Sequence, residues 1–128
     1  MTSGSGALSA HLREQIALTL GQANECGYCI AAHSAIGQKV GLSVAEIGSG
    51  SAWLGSGPQR HRSIVLCSQA GRSAGASHRY ADVDHVRRAG YSDGEINEIV
   101  ANVALSIFTN YFNHGAETEI DFPTAPNA

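Results

Sequence analysis

The longest periodic signal in the chain runs from Ser92 to His114. Ser92-Asp93-Gly94-Glu95 has the form of a capping box, in which two side chains satisfy each other's backbone N–H groups at a helix start. Behind it come Ile96, Ile99, Val100, Val103, Ile107, Tyr111 and Phe112, recurring at intervals of three and four. That period gathers side chains on one side of a helix and scatters them over both faces of a strand. A helix of this length must cover its apolar side with other helices or with a second subunit. No segment of the chain alternates convincingly with period 2, so the class predicted is all-α.

Five further helices are expected. Ser9 suits the N-cap of a helix over residues 8–23, where Leu12, Ile16 and Leu20 recur every fourth residue. A second runs from Gly27 to Val40, with Tyr28, Ala32, Ile36 and Val40 as its buried line and Gly41 just beyond its end. Ser43-Val44-Ala45-Glu46 is another capping box, opening a short helix that Gly48 and Gly50 close. Residues 48–79 are rich in Gly, Ser, Arg and His. There Pro58 can start a helix carrying Ile64-Val65-Leu66-Cys67 to about Gly71, and Gly71 to His78 reads as loop. Ala81 to Ala89 resumes a helical pattern, closed by Gly90. About six helices thus form one domain over residues 8–122, after a flexible Ser/Gly lead (1–7) and before a tail (123–128).

A length of 128 residues allows a real core. Eight basic against 11 acidic residues give a net charge of −3 with no basic stripe, which disfavours nucleic-acid binding. No apolar run approaches the ~18 residues of a membrane span, and the start lacks a basic-then-apolar leader. A cytoplasmic location is therefore expected. Only 15% of residues are charged, low for a small protein, and this predicts a homo-oligomer that covers part of its own surface.

The chemistry concentrates in Glu25-Cys26-Gly27-Tyr28-Cys29-Ile30-Ala31-Ala32-His33. In a reducing compartment a C-x-x-C pair reads as redox-active or metal-binding rather than as a staple. Cys26 falls at the helix start, Cys29 in its first turn, and His33 above Cys29 at i+4. A thiolate, not a thiol, attacks peroxide or disulfide bonds. The helix N-terminus favours that charge, His33 can accept the proton, and the second thiol can resolve a sulfenic acid. On this reading Cys29, expected to be the more buried, attacks; Cys26, nearer the open helix end, resolves and meets an external reductant. Glu14 lies with Leu18 and Gly21 on a line bordering the first helix's apolar stripe, from which it can orient His33. Helix position alone favours a solvated glutamate there.

Two other readings stand beside this one. Cys26, Cys29, His33 and Glu14 offer four zinc ligands, but the second ligand knuckle usual in structural zinc sites is missing. Two buried cysteines and a core histidine without chemistry are the other. Cys67 leaves the count odd and reads as a small buried apolar residue. His114, near a helix C-terminus, reads as a cation favoured by the helix dipole. His61, His78 and His85 carry no assignment.

A glutamate, eleven intervening residues and C-x-x-C-x-x-x-H is the signature of the AhpD-like (alkylhydroperoxidase D) branch of the carboxymuconolactone decarboxylase superfamily. This chain resembles it: Glu14, Cys26, Cys29 and His33 match position for position. Tyr28 falls where members commonly carry Tyr or His. The frame is similar too, in Arg13-Glu14-Gln15-Ile16-Ala17-Leu18, Lys39-Val40-Gly41-Leu42-Ser43 and Asn110-Tyr111-Phe112-Asn113-His114. The resemblance covers residues 8–47 and 82–122, while 48–79 depart from the regular helix of relatives.

It implies an all-helical domain assembled as trimers or hexamers, with the site near a subunit contact. It also implies hydroperoxide reduction through a Cys29–Cys26 disulfide, with Glu14 and His33 as a proton relay and Tyr28 in support. No metal or cofactor would be needed beyond an external dithiol or lipoyl-type electron donor. Two alternatives remain. One is a lactone decarboxylase like the superfamily's founding activity, which does not depend on a redox cysteine pair. The other is a non-enzymatic redox-sensing or partner-binding module.

Overall fold

The computed structural model describes residues 6–48 and 80–126. Among these, every regular element is a helix: α1 (Ala10–Ala23), α2 (Gly27–Lys39), α3 (Val44–Gly48), α4 (Tyr80–Arg88) and α5 (Asp93–Gly115). The expected class is all-α, and the described part is all-α. The helix expected from Pro58 to Gly71, the loop to His78, and Cys67 lie outside the described residues.

Helix starts follow the side-chain chemistry of the sequence. Ser9 accepts the N–H of Leu12 at 3.2 Å and caps α1. Both capping boxes close reciprocally. Glu46 Oε2 accepts the Ser43 N–H while Ser43 Oγ accepts the Glu46 N–H, and Ser92 and Glu95 repeat the exchange.

The four longer helices all end in the same way. In each, the N–H of the second residue past the cap reaches back to a carbonyl five positions earlier. The N–H of the residue before it reaches back three. These are the paired bonds of a Schellman motif, whose C′ residue sits in the left-handed region. Gly41 (φ 99°) and Gly90 (φ 97°) hold that position after α2 and α4, as their places in the sequence predict. After α1 and α5 it is held by Glu25 (φ 53°) and Glu117 (φ 48°).

Helix α1 is the centre of the packing: Leu12 to Gly21 are all buried. One side sets Leu12, Ile16 and Leu20, with Leu8, against Val86, Tyr91 and Ile99. Leu18 packs with Leu42 and Ile47 in a separate cluster. Full burial of each such side chain contributes roughly 1.5–3 kcal/mol. The Glu98 carboxylate of α5 accepts the N–H groups of Ala7 and Leu8 and lies 3.6 Å from Arg13, tying the chain entering α1 to α5. At the α4–α5 corner Arg87 donates to Asp93 at 2.9 Å and to Asp84 at 3.4 Å. The bond to Asp93 raises the pKa of a guanidinium that is charged in any case.

One expectation needs adjusting, for α2. The buried residues of α2 are Cys29, Ala31, Ala32, Ser34 and Gly37, whereas Tyr28, Ile36 and Val40 are half-buried. Small residues mark where α2 is tightly packed: a Cβ on Gly37 would lie 2.7 Å from Leu42 Cδ1. Tyr28 and Ile36 instead border a cavity. On α5, Ile96, Ile99, Val103 and Ile107 face the core as expected, but Val100, Tyr111 and Phe112 lie outside the single chain's core. With Phe108 they are 60–65% exposed.

The C′ positions set a testable contrast. Replacing Glu117 by Gly relieves a side chain held at positive φ and is expected to raise the unfolding free energy by about 0.5–1 kcal/mol. Gly41→Ala, with no atom within 4 Å of the added Cβ, should lose a similar amount through φ alone. Urea unfolding midpoints of the two variants measure both.

Candidate functional site

The turn that ends α1 also begins α2, and Cys26 serves both. Its N–H closes the Schellman bond to Gly21 O at 2.9 Å, and its sulfur accepts the N–H of Cys29 at 3.3 Å as the N-cap of α2. It fills the place that serine fills at the other capped starts. The two cysteines, with Cα atoms 5.2 Å apart, are joined as a disulfide. The expected ranking by burial does not hold, since Cys26 is 2% exposed and Cys29 3%. What separates them is their surroundings.

Cys29 borders a cavity of about 330 Å³ between α2 and α5, and Cys26 is not among its lining residues. The α2 wall is mostly apolar, with Tyr28, Ala32 and Ile36 beside Cys29 and His33. The facing wall is α5, which presents Asn102, Ser106, Thr109 and Asn113 at helical spacing. The coil after α5 closes one end: Phe122 meets Tyr28 edge-on at 5.7 Å, and Ile120 lies over Gly27.

Glu14 is not solvated. It is 1% exposed on the side of α1 that meets α2, and its Oε2 lies 2.6 Å from Nδ1 of His33. On the same side, Gly21 faces α2, where a Cβ would meet Cys29 Cβ at 3.4 Å, an ordinary contact distance. A carboxylate only accepts, so Nδ1 is the donor and the acceptor lone pair of a neutral His33 is on Nε2. The ring itself lines the cavity. Glu14, Cys26, Cys29, His33 and Tyr28 therefore gather in one place. The donors weighed for zinc are engaged with one another. Among the described residues no group of three His, Cys, Asp or Glu side chains is arranged to hold a metal.

The last turns of α5 add residues to which sequence reasoning gave no place in the site. Asn110, 1% exposed, accepts from the Asn24 side chain at 2.8 Å. His114 Nε2 donates to the Asn24 carbonyl at 2.8 Å, a bond to the cysteine-bearing turn that goes beyond the dipole role expected of it. Asn113 Nδ2 lies 3.5 Å from Cys29 Sγ. A signal was present, since three polar residues at i, i+3 and i+4 share one face at the end of an otherwise apolar helix.

Comparison with known proteins agrees with this geometry. The model of the carboxymuconolactone decarboxylase family matches residues 1–57, the part that carries the whole Glu14-to-His33 pattern. An uncharacterized peroxidase-related protein from a Silicibacter species superposes with a TM-score of 0.81 at 23% identity, over 92% of this chain and 63% of its own. An alkylhydroperoxidase AhpD core protein from Ralstonia eutropha, also an uncharacterized peroxidase-related protein, gives 0.80 at 24% identity, over 88% and 60%. This chain thus spans about three fifths of the length of each. No curated protein sequence matches it. The chain is similar to the carboxymuconolactone decarboxylase family by sequence over residues 1–57, and to these two solved structures by fold over most of its length. Among the described residues no helix is long and apolar enough to cross a membrane.

The Glu14–His33 contact should be visible in stability. His33→Ala takes a hydrogen-bond partner from a buried carboxylate and is expected to cost about 1–3 kcal/mol. Glu14→Gln, which buries no charge, should cost less. Chemical unfolding of both variants checks the order.

Proposed function

We propose that this protein reduces hydroperoxides with its cysteine pair. The observation that carries the reading is one cavity lined by Cys29, of the two bonded cysteines, and by His33, which the buried Glu14 carboxylate holds. His33 takes the proton of the Cys29 thiol, directly or through one water. The Cys29 thiolate attacks an oxygen of the hydroperoxide, the O–O bond breaks, and the departing alkoxide takes the proton back as the alcohol. Cys29 is left as a sulfenic acid. The sulfur of Cys26 attacks it, the S–S bond forms, and hydroxide leaves with the Cys26 proton as water. Two thiols are oxidised to a disulfide and one peroxide is reduced. An external dithiol, of lipoyl or similar type, then restores the pair by thiol–disulfide exchange.

Glu14 holds His33 in the tautomer that leaves Nε2 to work, and Tyr28 with Phe122 shapes the cavity mouth. No metal or organic cofactor enters these steps. The partner of the exposed Val100, Phe108, Tyr111 and Phe112 face is a second copy of the chain, in a trimer or hexamer, and the compartment is the cytoplasm. Support for the reading comes from the family likeness of the motif region and from neighbours whose names carry peroxidase relations.

Peroxide consumption with a dithiol reductant tests it. Cys29→Ser should abolish turnover, and full turnover in that variant sinks the assignment. Cys26→Ser should consume about one peroxide per chain and stop. Glu14→Gln should slow the reaction about 10- to 100-fold, at or below the lower end of the ~10²–10⁴-fold that a proton-transfer group contributes, since His33 itself stays in place. A lactone decarboxylase would be indifferent to losing Cys29. A redox-sensing module would form its disulfide without turnover.

A further inference from the structure

We propose that Asn113 is a catalytic residue of this thiol chemistry, its side-chain N–H stabilising the negative charge on Cys29 sulfur. The proposal rests on reading Cys29 as the attacking thiol. Its observation is that Asn113 Nδ2 lies 3.5 Å from Cys29 Sγ, a bonded separation for sulfur, across the cavity both residues line.

The direction of the effect follows from the acceptor. A disulfide or thiol sulfur accepts weakly, and hydrogen bonds to an ionised acceptor are roughly twice as strong. The contact is therefore worth most when Cys29 is a thiolate, the form that attacks. A thiolate can only accept, so the amide must offer it Nδ2.

The donor is also held in place. Asn110 and His114, on the same face of α5, both bond to Asn24 in the turn that carries Cys26. Asn113 sits between these anchors, aimed before the charge appears, and such preorganisation gives a dipole its catalytic value. The other groups around Cys29 are the α2 N-terminus, His33 one turn above, and Glu14 of α1 behind His33. His114 of α5 is turned to the Asn24 carbonyl. His33 must gain and lose a proton in each cycle. Asn113 does not titrate, so its hydrogen bond is available at every pH, and the gain in thiolate is largest below the Cys29 pKa and fades above it.

The test follows alkylation of Cys29 by iodoacetamide in the fully reduced protein across pH, read at the Cys29 peptide by mass spectrometry. Asn113→Leu removes the donor and is expected to raise the Cys29 pKa by about one unit, with an about tenfold fall in peroxide reduction at neutral pH. Asn113→Ala also removes the donor, with no added charge, and should raise the pKa by a similar amount. It also keeps the test alive where the leucine variant does not fold. Asn113→Gln, which retains an N–H donor, should recover part of the loss. A Cys29 profile unmoved in the folded leucine or alanine variant overturns the proposal. The two readings separate cleanly. A shifted profile in a protein that turns over no peroxide keeps Asn113 and removes the peroxidase reading. An unmoved profile with intact turnover does the reverse.

Discussion

A carboxylate buried in the middle of the central helix sets the terms for the rest of this molecule. Glu14 is 1% exposed, and an ionisable group so placed is tolerated only with partners at hydrogen-bonding distance. His33 supplies one at 2.6 Å, which requires α2 to run back along α1 at close range. Gly21 faces Cys29 where the two helices meet. Packing on α1's other side then has to be strong enough to hold the arrangement. The cluster of Leu12, Ile16 and Leu20 with Val86, Tyr91 and Ile99 provides it.

Helix α5 has two unlike jobs along one length. Its first half contributes Ile96, Ile99 and Val103 to that core, while its last turns hold the cysteine-bearing turn through Asn110 and His114 and touch Cys29 through Asn113. Between these contacts it lines the cavity with Leu105 and with amide and hydroxyl side chains, opposite a largely apolar α2 wall. The cavity thus has one face that fits hydrocarbon and another that fits hydrogen-bonding groups.

Much of this could be read in the sequence because it is written in local chemistry. Ser9, Ser43–Glu46 and Ser92–Glu95 act through side chains on their own backbone, and Gly41 and Gly90 are suited to the conformation they adopt. The site motif was legible because its residues are reactive and regularly spaced. Other features were not, for identifiable reasons. Nothing marks Glu25 and Glu117 as left-handed C′ residues, since glutamate has no preference for that region and the surrounding bonds impose it. The line Tyr28–Ala32–Ile36 is apolar by composition, yet a cavity rather than a neighbouring helix faces it. The contacts of Asn113 and His114 span 84 and 90 positions of sequence, beyond the reach of any periodicity.

The shared duty of Cys26 has a consequence for the spacing of the motif itself. Because one residue both closes α1 and opens α2, no slack separates the helices. The eleven residues between Glu14 and Cys26 are nine to the end of α1 and two of turn. Nine helical steps climb about 13 Å, and the six from Gly27 to His33 descend about 9 Å along the neighbouring, inclined helix. Those two lengths bring the imidazole back to the carboxylate it left behind. The interval in the sequence is therefore a ruler: one residue added or removed within it would turn Glu14 by about 100° and point it away from His33.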